Sequence, residues 1–193
     1  LGDVYKRQRY RAVGMLAIEP QTTSSPFAEN LAALWAVDHR LAAQVDAIAD
    51  DDALALEPAK TGAMTAAVPV SGGRPIYLHS RYDPIDEATR QTARVAADRL
   101  EIFLLGLGLG YHAVALRARA TEATIWAFEP DLRIIRAALE TSDLAALLLE
   151  RRLRIIHQPD KAQLSAEWMP HLAGINVCLL YTSDAADEGL GVD

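Results

Sequence analysis

The spacing of hydrophobic residues divides the first half of the chain into a helical region and a region of short strands. Apolar residues recur every three or four positions over residues 30–49, which predicts helix, and Asp38 is a break or cap between two helices. The runs LALEP, TAAVPV and RPIYLHS then predict short strands, and Ser71-Gly72-Gly73 between the last two predicts a hairpin. Asp83-Pro84 predicts the start of a further helix that ends near Ala97.

From Glu101 onward the pattern alternates between strands and helices. The strand candidates EIFLL, TIWAF, LRIIH and GINV begin near residues 101, 124, 153 and 175. Helices are predicted between them at residues 111–118, 131–140, from 143, and at 161–172. Successive strand-helix-strand units require parallel strands and right-handed crossovers. The fold class predicted is therefore α/β, a Rossmann-like open parallel sheet preceded by a small helical and antiparallel β unit and truncated at its C-terminus.

The two ends of the chain resemble translated sequencing-adaptor DNA. These segments are LGDVYKRQ at residues 1–8 and CLLYTSDAADEGLGVD at residues 178–193, and such additions are excluded from reasoning about the fold. The expected organisation of the remainder is a flexible lead-in at 9–28, a helical and β-hairpin unit at 29–98 and an incomplete Rossmann-like domain at 99–177. The fourth strand is expected to run into CLLYT.

Composition narrows the class of protein. The 19 basic and 26 acidic residues give a net charge of −7, and without the adaptor-like ends 17 basic and 21 acidic residues remain. This acidic balance argues against non-specific nucleic-acid binding. The single cysteine, Cys178, lies in an adaptor-like end, and no apolar run approaches the roughly 18 residues of a membrane span. We expect a cytoplasmic protein without a nucleic-acid or membrane partner.

The stretch GLGLGYH at residues 106–112 is the first candidate site. Gly106, Gly108 and Gly110 follow the first parallel strand and precede a helix, the position where doubly wound sheets bind nucleotides. The pattern G-x-G-x-G differs from the dinucleotide pattern because position 111 is Tyr, and it is closer to the loop of S-adenosylmethionine-dependent methyltransferases. Alternatively, the glycines only permit a tight turn and close packing of the helix on the sheet.

Glu129 extends this candidate site. It ends the second strand, 23 residues after Gly106, where an acidic side chain faces a ribose in nucleotide-binding folds; alternatively it caps the helix opened by Pro130. Asp160 could contact a base or cap the helix before Lys161. The predicted ligand contacts at this edge are Gly106, Gly108, Gly110, Tyr111, His112, Glu129 and Asp160.

A second polar stretch, YLHSRYDP at residues 77–84, lies at a strand-to-helix junction. His79 could move a proton, and Arg81 could bind a phosphate or carboxylate through two hydrogen bonds. Asp83 is a further ligand candidate. Hydrogen bonds within an inward-facing junction explain the same composition. No histidine spacing supports a metal site.

Four ordered blocks, YLHSRYDPIDEA, FLLGLGLGYHAVAL, FEPDLRIIRAAL and SDLAALLL, resemble the amino-terminal domain of the motility accessory factor glycosyltransferases. This family is related to the archaeal 6-hydroxymethylpterin diphosphokinase, and the resemblance extends over about residues 30–160. It implies a bacterial protein that helps to attach a nonulosonic acid, donated as its CMP conjugate, to flagellin. In that family the transfer chemistry is assigned mainly to a following domain. The alternatives are a methyltransferase-like enzyme that uses S-adenosylmethionine and a partner-docking domain.

Overall fold

The computed structural model describes residues 25–69 and 74–163 and the backbone of residues 180–181. Two helices come first, α1 at Phe27–Val37 and α2 at His39–Asp46. Asp38 separates them as predicted, and its Oδ1 accepts a hydrogen bond of 3.0 Å from the Leu41 amide at the start of α2. α1 begins at Phe27, earlier than Asn30, where the apolar periodicity starts.

An antiparallel sheet of three strands follows. Its strands are β1 at Leu56–Pro58, β2 at Met64–Val68 and β3 at Ile76–Tyr77, in the order β1-β2-β3. The antiparallel pairing of β2 with β3 confirms the predicted unit, whereas the predicted turn at residues 71–73 lies outside the described residues.

Helix α3, at Pro84–Thr92, begins where the sequence predicts. The Asp83 carboxylate accepts hydrogen bonds from the amides of Ile85 and Asp86, at 3.1 and 2.9 Å. The helix ends before the predicted Ala97, because Val95 turns into the core: it is 2% exposed and its amide donates to the Thr92 carbonyl.

The second half forms a parallel sheet of four strands in the order β6-β5-β4-β7. The strands are β4 at Glu101–Leu105, β5 at Thr124–Phe128, β6 at Leu153–Ile156 and β7 at Leu180–Tyr181. This order confirms the Rossmann-like α/β prediction. The fourth strand lies within CLLYT and pairs with β4 through Leu104 and Leu105; the predicted GINV segment lies outside the described residues.

The helices of this half lie close to the predicted positions. They are α4 at Tyr111–Arg119, α5 at Leu132–Thr141, α6 at Ala145–Leu149 and α7 at Lys161–Gln163. One buried cluster joins apolar residues of α1 and α2 to the sheet and to α4, α5 and α6. The first two helices therefore share a core with the Rossmann-like unit. Within the described ranges, no helix is long and apolar enough to cross a membrane.

Candidate functional site

The glycine loop, residues 106–110, lies at the carboxyl end of β4. Strand β5 pairs with one side of β4, and β7, which lies in the adaptor-like end of the chain, pairs with the other side, so the strand order reverses at this point. Ligands of open α/β sheets bind at such a reversal. Gly106 and Gly110 have φ angles of 85° and 87°, a region that disfavours side chains. The structure therefore places the predicted glycines at the expected edge.

Glu129 faces the glycine loop. Its Oε2 accepts a hydrogen bond of 3.0 Å from the Leu107 amide and its Oε1 one of 3.1 Å from the Asp131 amide. The side chain is 3% exposed. Burial raises the pKa of the Glu129 carboxyl, although hydrogen bonds from the amides of Asp131, Leu107 and Gly108 oppose this effect. Glu129 thus connects the start of α5 to the glycine loop.

His79 reaches the same loop from the antiparallel sheet. The Leu109 amide donates a hydrogen bond of 2.8 Å to His79 Nε2, so this nitrogen is the unprotonated one and the neutral ring carries its proton on Nδ1. His79 is fully buried, and its Nδ1 lies 3.7 Å from Glu87 Oε2. The buried His79 ring therefore supports the loop through its hydrogen bond to the Leu109 amide. A group that transfers protons to a ligand would be exposed instead.

Tyr111 and His112 begin α4 and also face inward. The Tyr111 hydroxyl donates to the Met64 carbonyl at 2.9 Å and accepts from the Met64 amide at 3.0 Å, which connects α4 to β2. His112 Nε2 lies 2.8 Å from Gln91 Oε1, and the His112 ring stacks on His79 with 5.6 Å between centroids. Burial of the ring lowers the pKa of His112 to about 4.

On the other side of the loop, Ser142 and Asn30 fix its backbone. Ser142 Oγ donates a hydrogen bond of 2.6 Å to the Leu109 carbonyl. The fully buried Asn30 side chain binds the segment that contains Ser142. We did not identify either residue from the sequence. One sequence feature could have identified Asn30 as a buried polar residue: it lies on the same helical face as the apolar Ala33 and Leu34.

The remaining candidate residues are Arg81, Asp83 and Asp160. Arg81 is exposed, and its guanidinium lies 4.7 Å from the centroid of the Tyr77 ring. Asp83 caps α3 through two amides. Asp160 is exposed and directly precedes α7. The structure thus brings Glu129, His79, Tyr111 and His112 together around the loop, whereas Arg81 contacts Tyr77 and Asp83 caps α3.

Four backbone amides of the loop donate hydrogen bonds within the protein. Leu107 donates to Glu129 and Leu109 to His79, while Gly106 donates to the Phe128 carbonyl and Gly110 to the Leu107 carbonyl. A phosphate that binds these amides would have to displace Glu129 or His79. The arrangement is a preorganised turn with a buried carboxylate.

Three cavities lie elsewhere on the described surface. Two of about 460 and 140 Å³ are lined by residues of α1, α2 and β6 and the turns beside them. The third, of about 500 Å³, is lined by Lys60, Arg81 and Tyr82 among others. Glycine-loop residues line none of these three cavities.

Acidification is expected to destabilise the protein through His112. The pKa of His112 is about 4 in the folded state, and its ordinary value is 6.5. As the pH falls, His112 therefore binds a proton in the unfolded chain before it does so in the folded protein. The stability contributed by neutral His112 is therefore complete above pH 6.5 and is lost as the pH falls through 4. The loss between pH 7 and pH 4 is about 3 kcal/mol.

Urea unfolding at both pH values, with His112→Gln as the reference, measures this effect. The glutamine can still donate to Gln91 and does not titrate. The wild type should lose about 3 kcal/mol more than the variant between pH 7 and pH 4. Equal losses in the two proteins would show that His112 does not cause the acid sensitivity.

No protein-family model matches the chain, and no curated protein matches it. Four chains of solved structures match. One of them is a Maf glycosyltransferase from Magnetospirillum magneticum AMB-1, which is 18% identical with a TM-score of 0.56. The match covers 72% of this chain and 28% of that protein. The chain therefore shares its fold with part of a Maf glycosyltransferase.

Proposed function

We propose that the chain is the Rossmann-like part of a glycosyltransferase-like protein of the motility accessory factor kind. The observation that carries this proposal is the fold shared with the Maf glycosyltransferase over 72% of the chain. The four sequence blocks that resemble the amino-terminal domain of this family support it independently of the coordinates. The donor would be a CMP-nonulosonate, the acceptor flagellin and the compartment the cytoplasm.

Within such a protein, this part acts as a scaffold domain. The glycine-loop amides already donate to Glu129, His79 and backbone carbonyls, which favours a structural turn over an open nucleotide site. Because the match covers 28% of the Maf glycosyltransferase, the remaining 72% of such a protein offers room for the transfer chemistry. The role of this domain is then to present a rigid sheet edge to the neighbouring parts.

Calorimetric titration of the chain with CMP and with S-adenosylhomocysteine tests the scaffold role. We expect no saturable heat with either compound. Saturable binding of CMP that is lost in Glu129→Gln and kept in the exposed-site control Glu29→Gln would instead establish a nucleotide site at the loop. Binding of S-adenosylhomocysteine alone would favour the methyltransferase-like alternative.

The family assignment has a separate test in the genome. The gene that encodes this chain should also encode, downstream of it, a nucleotide-sugar-type transferase domain, and flagellin or nonulosonate genes should lie nearby. A continuation that encodes an unrelated domain would contradict the proposal, whatever the titrations show.

A further inference from the structure

A groove follows the outer edge of β6. This strand is the last in the order β6-β5-β4-β7, so its far side is an edge of the sheet that the described residues form. The cavities of about 460 and 140 Å³ lie along this edge and share Asp38 and Arg40 in their linings. We call the combined feature the β6 groove, with residues 37–40 on one wall and residues 153–158 on the other. Its larger part has the size of a ligand cavity.

The β6 groove carries positive charge on an acidic protein. Arg40, Arg151 and Arg154 line it, all three are exposed, and none forms an ion pair with another residue in the described part of the chain. The Arg154 guanidinium lies 4.9 Å from the centroid of the Trp126 ring. Asp38 is the acidic residue of the lining, and its carboxylate is engaged by the start of α2. Since the whole chain has a net charge of −7, this concentration of guanidinium groups favours an anionic partner.

The backbone of β6 can accept an additional strand. The carbonyls of Arg152 and Ile156 accept hydrogen bonds of 2.7 and 2.9 Å from the amides of Ile125 and Glu129, so these carbonyls face β5. Alternate residues of a strand direct their amides and carbonyls to opposite sides. The corresponding groups of Leu153 and Ile155 therefore face the groove, and no other residue among those described hydrogen-bonds to them there. Unpaired edge groups of this kind are the basis of strand addition.

From these features, we propose that the β6 groove binds an extended acidic segment of a partner protein, which adds a strand to β6. Arg151 lies in the turn before β6, Arg154 lies within that strand and Arg40 lies on the opposite wall, so the guanidinium groups are distributed along the groove. This spacing suits acidic side chains distributed along a peptide better than the convergent charges of one small anion. A second copy of this chain would bring the same guanidinium groups together across a symmetric edge pairing, which charge repulsion disfavours.

Fluorescence anisotropy with the labelled peptide Val-Glu-Val-Glu-Val-Glu-Val and the full chain tests this proposal. Saturable binding that weakens as salt is added is expected. Arg154→Glu and Arg40→Glu should each weaken it about fivefold or more at low salt. Arg94→Glu is the matched control, because Arg94 is also exposed and lines neither cavity of the groove; its affinity should equal that of the wild type.

Two peptide controls separate strand addition from simple charge attraction. The first control is the acidic peptide N-methylated at alternate residues, which keeps its charges but cannot donate backbone hydrogen bonds to β6 from those residues. The second control carries lysine in place of each glutamate. Both peptides should bind much more weakly. Equal binding of the N-methylated peptide would overturn the proposal. The arginines would then serve to prevent edge-to-edge aggregation of the sheet, as charged residues at sheet edges commonly do. Displacement by millimolar CMP or phosphate would indicate a small-anion site, and a dimer that Arg154→Glu dissociates would indicate a second copy; either result would overturn it.

Discussion

Replacement of Asn30 by alanine is expected to lower the free energy of unfolding by about 4 kcal/mol. Three buried backbone groups lose their hydrogen-bond partner in this variant, and each unsatisfied group costs about 1–3 kcal/mol. Asn30 Nδ2 donates to the carbonyls of Leu139 and Ser142 at 2.8 and 2.7 Å, and its Oδ1 accepts from the Leu144 amide at 2.8 Å. The side chain is fully buried, so water cannot replace it without a rearrangement.

Urea unfolding of Asn30→Ala beside Glu29→Ala measures this loss. Glu29 is the preceding residue of α1 and is exposed, so its variant should lose less than about 1 kcal/mol. Asn30→Asp should not restore stability, since a carboxylate keeps the bond from Leu144 but faces two carbonyl oxygens. Comparable losses for Asn30→Ala and Glu29→Ala would show that the three hydrogen bonds contribute little.

Gly110→Ala is the second substitution with a large expected effect, about 3–4 kcal/mol. Gly110 has a φ of 87°, a conformation that costs an L-residue about 1–2 kcal/mol. A Cβ atom there would also lie 2.9 Å from Ser142 Cβ and 3.3 Å from Leu144 Cδ1. Ser142 Cβ is bonded directly to the backbone of a packed segment, so relief of the overlap adds about 1–3 kcal/mol.

Comparison with Gly62→Ala separates the steric overlap at Gly110 from the backbone cost of a positive φ. Gly62 has a φ of 90°, and a Cβ at this position would have no atom within 4 Å. This control should lose only the backbone cost of about 1–2 kcal/mol. Urea unfolding of both variants gives the difference, and a difference near zero would show that the segment around Ser142 moves away at little cost.

Both substitutions act on the same set of contacts, which connects α1, the segment between α5 and α6, and the glycine loop. Asn30 holds the connection between α5 and α6, which contains Ser142, and Ser142 in turn packs on Gly110 and binds the Leu109 carbonyl. The glycine loop is thus positioned by α1, which precedes it by more than 60 residues in the sequence. A scaffold domain needs this rigidity at the sheet edge that it presents.

Sequence reasoning located one side of the candidate site well. The glycines and Glu129 follow neighbouring strands, and the carboxyl ends of parallel strands meet at one edge. The bond of 3.0 Å between the Leu107 amide and Glu129 confirms that they are neighbours. His79 was predicted as a ligand candidate from its local composition, but its bond to Leu109 depends on how the antiparallel sheet docks against the parallel one.

The helices and strands could be predicted from local patterns, because periodicity and capping residues such as Asp38 and Asp83 act over a few neighbouring positions. The parallel direction of β4, β5 and β6 could also be predicted, from the length of their connections. The side chains that pair with the loop amides, and the strand edge that is open, became evident from the three-dimensional arrangement alone. Those outcomes depend on the packing of segments far apart in the chain, such as Asn30 against Ser142, and local spacing carries no information about such contacts.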